Sequence, residues 1–274
     1  MSKPLVVVIT GVSSGIGRVT AQKFAARGCK VFGTVRSVAK AQPIPGVTLI
    51  EMDLRSRESV ELALRLVIQQ EQRIDVLVNN AGGSLVGAVE ETSIDEAQAL
   101  FDTNVFGTLR AIHAVLPQMR QQGRGRIINL SSVLGFLPAP YMGLYAATKH
   151  AIEGLSESLD HEVRQFGVRI VLVEPSYTKT NLDLNAPTAA DKISAYDQER
   201  EIAVQATLNN INSAPNPDTV AETILTAAFG PWKMRRTPKG QASLLSKLRR
   251  FMPAGPVDAA IRKGLNLKPV PSRS

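Results

Sequence analysis

A single cysteine, Cys29, stands in 274 residues, so no disulfide can close within the chain. A reducing compartment is the default for such a chain, and the expected location is cytoplasmic. Only three histidines occur, His113, His150 and His161, and they are scattered without forming a ligand cluster. No metal site is expected. Aromatic residues make up only 5%, and after Gly230 they reduce to Trp232 and Phe251. Basic stretches without interleaved aromatics do not read as a nucleic-acid surface. Long apolar runs are missing too: none reaches the ~18 residues that a membrane span needs. The stretch Leu5–Ile9 is too short for a signal peptide and lacks a small-residue cleavage site, so it reads as a buried first strand.

What is present supports a large core, since 44% of the residues are hydrophobic. The net charge of +8 is unevenly placed. Residues 231–274 hold eleven Lys or Arg against one acid, Asp258, while the first 230 residues hold 21 basic and 23 acidic residues. The basic character therefore belongs to the tail, and a local asymmetry of this kind suggests an interaction surface.

Up to Pro175 strand-like and helix-like patterns alternate. Short apolar runs rich in Val, Ile and Leu occupy 5–10, 30–35, 47–51, 74–79, 126–131 and 168–174. Strands buried on both faces have this composition. Helical spacing fills 15–28, 57–72, 96–121 and 145–166. The alternation predicts an α/β fold: a Rossmann-type, doubly wound parallel sheet with right-handed connections and helices on both faces. Residues 181–217 are polar and contain Asn185, Pro187, Pro215 and Pro217, with a helix expected around 190–208. The segment is too long for an ordinary connection and reads as a substrate lid. One more helix is expected over 218–230, with Asp218 as its N-cap. The expected organisation is a catalytic domain over 1–230, lid included, followed by a basic amphipathic extension over 231–274.

Three motifs carry chemistry. Thr10-Gly11-Val12-Ser13-Ser14-Gly15-Ile16-Gly17 follows a strand and opens a helix. Glycines there let the backbone approach a pyrophosphate, which sits on the free N–H groups of the helix start. Asn79-Asn80-Ala81-Gly82 closes a strand. Tyr145 and Lys149, four residues apart, share a helix face. An ammonium beside a phenol favours the phenolate, which makes the tyrosine a usable acid or base near neutrality. Ser132 stands just past a strand, 13 residues before Tyr145, and can donate a hydrogen bond to a carbonyl oxygen as that oxygen gains charge.

Together these residues resemble the short-chain dehydrogenase/reductase family in its single-domain form, from residue 5 to about 230, and the region 141–164 looks like its hydroxysteroid and retinol dehydrogenase members. The resemblance implies that Tyr145 is the acid/base, that Lys149 lowers its pKa and binds the nicotinamide ribose, and that Ser132 polarises the substrate carbonyl. Asn104, in Asp102-Thr103-Asn104-Val105, matches the family's helix asparagine, which holds a water in the proton relay. Asp53 and Leu54 would border the adenine, and Asn80, Ala81 and Gly82 would line the cofactor cleft. Pro175, Thr178 and Thr180 match the segment that meets the nicotinamide carboxamide and the phosphates. Pro175-Ser176 stands where the family usually has Pro-Gly, a departure that bears on the backbone at the nicotinamide.

Cofactor choice follows from charge. NAD-users place an acid at the end of the second strand to bind the adenosine ribose. Here Val35 holds that position and Arg36 follows. A guanidinium would bind a 2′-phosphate, with Ser13 as a second ligand, so NADP(H) is expected and NAD(H) is the alternative. The expected reaction interconverts a ketone or aldehyde and an alcohol on an apolar, steroid-, retinoid- or lipid-like substrate. The runner-up is a 3-oxoacyl thioester reductase. A third reading, a non-catalytic dinucleotide-sensing protein, would be expected to lack the tyrosine or the lysine. A homodimer or homotetramer is expected through the helices at 96–121 and 145–166. In the tail, Leu244, Leu245, Leu248, Phe251 and Met252, then Val257, Ala260, Ile261 and Leu265, form two apolar stripes beside basic residues. Residues 240–267 could lie on an anionic membrane or pack over the active site.

Overall fold

The computed structural model describes residues 3–180, 182, 186–249 and 253–267. Among the described residues seven strands form one sheet in the order β3-β2-β1-β4-β5-β6-β7, and every neighbouring pair is parallel. They are β1 (Val6–Thr10), β2 (Lys30–Val35), β3 (Val47–Glu51), β4 (Val76–Asn79), β5 (Gly125–Leu130), β6 (Val168–Val173) and β7 (Arg235–Arg236). The order reverses beside β1, and that switch point is where doubly wound sheets bind their ligands.

Why the strands read as unbroken apolar runs is visible in β1. Val6 and Val8 enter one core, and Val7 and Ile9 enter the other. The first core lies under α2 (Arg57–Glu71) and α4 (Gly107–Gln122), with Val60, Leu64, Ile112 and Met119 fully inside. The second lies under α1 (Gly15–Ala26) and a later helix over Asp218–Phe229, which contribute Phe24, Val220 and Ile224. Two faces, each covered by helices, favour apolar residues at successive positions of a strand.

The helix expected over 96–121 runs longer and is not uniform. α3 (Ile94–Phe101) begins at Ser93, whose hydroxyl accepts from the Glu96 N–H while the Glu96 carboxylate accepts from the Ser93 N–H. This reciprocal cap satisfies two donors that a helix start leaves open. A π turn over Asp102–Phe106 then separates α3 from α4. α5 (Gly143–Val163) follows β5 and carries Tyr145 and Lys149.

The lid helix, α6 (Asp197–Asn212), starts and ends later than the spacing predicts. Only Arg200, Ala203, Ala206, Thr207 and Ile211 are buried along it, so its apolar signal is weak. Asn181 and residues 183–185 of the expected lid lie outside the described residues. α7 is the helix Asp218–Phe229, and Pro217, not Asp218, holds its N-cap position. Asp218 sits in the first turn and pairs with Lys23 of α1 at 3.2 Å.

Residues 231–236, grouped with the tail on charge alone, pack along the sheet edge, and the last two join it. Trp232 Nε1 donates to the Ile170 carbonyl at 2.9 Å, and the Arg169 guanidinium stacks 3.5 Å from its ring. Arg235 and Arg236 form β7 against Leu172 and Val173. Among the described residues two short helices follow, α8 (Gln241–Arg249) and α9 (Ala254–Gly264). Of the tail stripe, the side chains of Lys247, Leu248 and Arg249 and all of Arg250, Phe251 and Met252 lie outside the described residues. Among the described residues no helix is long and apolar enough to cross a membrane.

Candidate active site

A cleft of about 970 Å³ opens at the carboxyl ends of the strands. Gly11, Ser13, Ser14, Gly15 and Ile16 form its floor at the start of α1. Gly11 has φ +72°, and a Cβ there would press on Ala81 at 2.8 Å. Both facts require glycine. Gly17 does not line the cleft. It is buried behind it, where a Cβ would overlap the Gly11 carbonyl and the Asn80 amide. That space is used: Asn80 Nδ2 donates to the carbonyls of Thr10 at 2.9 Å and Gly11 at 3.0 Å. The Thr10 hydroxyl in turn accepts from the N–H groups of Asn80 and Ala81 at 3.0 and 2.9 Å. Asn80 therefore lines the cleft and also ties the glycine turn to the end of β4. Thr10, buried at a strand end, was not singled out from sequence, since a threonine there is ordinary β composition.

Ser14 holds the N-cap position of α1, yet its side chain makes no capping bond. The first-turn N–H groups thus lack a side-chain acceptor, and Ser13, Gly15 and Ile16 beside them face the cleft. Thr180 lies across from Gly15, 3.4 Å from where a Cβ would project. Arg36, Asp53 and Leu54 line the end beside β2 and β3. Asp53 accepts from the Arg55 N–H at 2.9 Å, and its own N–H donates to the Ser59 hydroxyl at 3.0 Å. Uncapped N–H groups, a cation beside β2 and a glycine floor form a donor set that fits a phosphorylated dinucleotide.

At the other end Ser132, Tyr145 and Lys149 line the same cleft with Ala81, Gly82, Pro175 and Thr178. Each of the first three is less than one-tenth exposed. Ser132 sits in extended backbone at the end of β5, and its hydroxyl accepts from the Leu134 N–H at 3.1 Å. Lys149 Nζ donates to the Leu130 carbonyl at 2.8 Å and lies 5.6 Å from the centre of the Tyr145 ring. Ser176 has no positive φ, so its backbone makes no demand for the glycine usual in the resembling family.

Asn104 does not line the cleft. Its Oδ1 accepts from the Gly83 N–H at 2.7 Å, and its Nδ2 donates to the Gly83 carbonyl at 3.0 Å and the Thr148 hydroxyl at 3.1 Å. The amide thereby joins the π turn, the loop after β4 and the helix that carries Tyr145 and Lys149. Glu153, one turn beyond Lys149, is buried against Arg235 at 3.2 Å. Burial pushes its carboxyl up, against the pull of Ser131 and Arg235.

The wall away from the strand ends is apolar. Leu134, Leu137, Met142, Leu245, Val257 and Ile261 contribute to it. Leu245 and Val257 pack with Val133 and Leu137, so the tail stripe meets the site directly. Leu265 and Leu267 pack with Ala203 of α6, Ile261 and the Tyr141 ring, and Arg262 pairs with Glu199 at 3.4 Å. Leu244 of the same stripe is 58% exposed. Tyr141, at φ +63°, turns towards the lid and tail and does not line the cleft, whereas its neighbour Met142 does.

Sequence comparison agrees with this architecture. The model of the short chain dehydrogenase family matches residues 5–191, and the chain belongs to that family. It is 40% identical over 183 residues to a 3-ketodihydrosphingosine reductase of Bacteroides thetaiotaomicron, a match spanning 67% of each chain. It is 34% identical over 270 residues to estradiol 17-beta-dehydrogenase 1 of Rattus norvegicus, across 91% of this chain and 78% of that one. A solved short-chain dehydrogenase from Streptomyces avermitilis superposes with a TM-score of 0.80 at 33% identity, over 96% of this chain and 95% of the other. Other solved members of similar fold hold NADP or NAD. The chain is thus an oxidoreductase of this family with a nucleotide-binding Rossmann sheet.

Proposed function

We propose that this protein interconverts a ketone or aldehyde and an alcohol on an apolar substrate, with NADP(H) as its cofactor. The observation that carries the reading is a single cleft with two ends. One has uncapped helix N–H groups and a cation beside β2, and the other has Ser132, Tyr145 and Lys149 against an apolar wall. When bound, the nicotinamide supplies or receives the hydride. The chain's own residues handle the oxygen and its proton. The Ser132 hydroxyl donates to the carbonyl oxygen as charge develops there. The Tyr145 hydroxyl delivers the proton to that oxygen, or takes it back in the reverse direction. Lys149 is held beside Tyr145 by Leu130, and its charge favours the phenolate. Asn104 acts through position, by fixing Gly83 and Thr148.

Arg36 supports NADP(H) over NAD(H), because a guanidinium at the end of β2 attracts a 2′-phosphate where an acid would repel it. Ser13 is the second ligand in this reading. Asp53 and Leu54 border the adenine, and Pro175, Thr178 and Thr180 meet the nicotinamide side. The catalytic unit runs through β7 to about residue 240, and α8 and α9 cover the substrate end. A cytoplasmic homodimer or homotetramer through α4 and α5 completes the proposal. The test is NADPH oxidation, followed by absorbance, across a panel of apolar ketones. Turnover that needs Tyr145 and prefers bulky apolar ketones supports the reading. No turnover with any carbonyl, by a protein that binds NADPH, overturns it.

A further inference from the structure

The charged residues that line the cleft are Arg36, Asp53, Arg55 and Lys149, all beside strand ends or on α5. Among the described residues the lid and tail contribute none, and their lining is apolar except for two residues on α6, Thr207 and Asn210. Three residues apart, these two share one helix face. Thr207 is 9% exposed, and among the described residues its hydroxyl forms no hydrogen bond. Most helical threonines here differ, although Thr20 of α1 is likewise unpartnered. Thr103, Thr108, Thr223 and Thr226 each donate to the carbonyl four residues back. The Asn210 amide also has no partner among the described residues, whereas its neighbour Asn209 accepts from Gln205 at 3.0 Å. Thr207 and Asn210 both face the cleft, so their polar atoms are open to a bound molecule, and a ligand without a matching polar group would leave them desolvated and unpaired.

We propose that Thr207 and Asn210 form a subsite for a neutral hydrogen-bonding group, a hydroxyl or carbonyl, at the end of the substrate remote from the reacting carbon. The proposal rests on the oxidoreductase reading above and deepens it. Hydroxyl and carboxamide both donate and accept, and neither carries charge. Among the described lining residues of the lid and tail, no charged side chain would offset the desolvation of an ionised group. The packing supports the placement at the remote end. One turn before Thr207, Ala203 clusters with Leu265 and Leu267, while Tyr145 clusters separately with Leu85, Leu100 and Met142. The substrate class is therefore an elongated apolar ketone, or the matching alcohol, with a second oxygen function at its far end.

The experiment compares kcat/KM with NADPH for two rigid polycyclic ketones that differ only in a hydroxyl at the end remote from the ketone. The wild type is expected to favour the hydroxylated ketone by about tenfold, the worth of one or two well-made hydrogen bonds. T207V and N210L should each remove most of that preference and leave the plain ketone within about twofold. T207S, which keeps the hydroxyl, should retain the preference, and thermal unfolding of each variant checks that the fold survives. Turnover of both ketones without discrimination by the wild type overturns the subsite alone, as does equal loss on both ketones in the folded variants. No turnover of either ketone overturns the oxidoreductase reading, and the subsite falls with it.

Discussion

Lys149 donates to the Leu130 carbonyl at 2.8 Å, so the middle of α5 is tied to the last residue of β5. That bond places the ammonium beside the Tyr145 ring and next to the strand end that bears Ser132. Tyr145→Phe should remove most turnover and leave NADPH binding nearly intact. Lys149→Met should lower turnover and weaken cofactor binding together. Single-turnover kinetics and a fluorescence titration of NADPH separate the two effects. A phenylalanine variant that keeps more than about a tenth of wild-type kcat would contradict the role of the hydroxyl.

Arg36→Asp should shift preference from NADPH towards NADH by about tenfold or more, since it replaces attraction to a phosphate with repulsion. The KM values for both cofactors at low and high salt measure it. An unchanged KM for NADPH would place the phosphate elsewhere.

Glu91 predicts an acid-sensitive lid. Its carboxylate is fully buried and accepts from the Ala88 and Ile193 N–H groups at 2.9 Å each, and it pairs with Arg200. Burial alone would raise its pKa, but the Ile193 and Ala88 N–H groups and Arg200 together hold it below the ordinary value. Glu96, which accepts from the Ser93 and Ala190 N–H groups, is lowered as well. A depressed carboxylate contributes stability that is complete above its unfolded pKa of ~4.3 and is lost as pH falls through the lower folded value. Glu91→Gln should therefore destabilise on the order of 2–3 kcal/mol at pH 7, and the gap should narrow below about pH 4. Urea unfolding at several pH values reads both; a gap independent of pH would contradict the linkage.

Truncation after Gly240 keeps β7, Trp232 and the Arg235 contacts while removing α8 and α9. Activity on bulky apolar ketones should fall by more than tenfold, with NADPH affinity unchanged. Unchanged kinetics combined with lost binding to anionic liposomes at low salt would favour a membrane contact for the tail instead.

The sheet was legible because strands buried on both faces are mainly apolar, as β1 and β6 are apart from Thr10 and Arg169. The glycine turn, Ser132, Tyr145 and Lys149 could be singled out only through the order of several motifs together, and the fold brings them to one cleft. β7 was not, since two arginines at a sheet edge carry no apolar signal. The position of α6 was poorly marked because it buries small and polar residues. The bonds between Thr10, Asn80 and Gly11 join chain segments about 70 residues apart, and no local pattern records them.

The π turn at Asp102–Phe106 also explains why the helix that contains it is hard to read on one wheel. Before the turn, Leu100 packs with Tyr145 and Met142 at the cleft; after it, Ala111, Ile112, Val115 and Met119 pack under the sheet. A turn of i→i+5 spacing resets the angular phase of everything downstream. One helix can thus serve two cores whose directions a single α-helical register would not satisfy. Any graft between relatives that changes the residue count within this turn would rotate one half of the helix out of its core, even with every contacting side chain preserved.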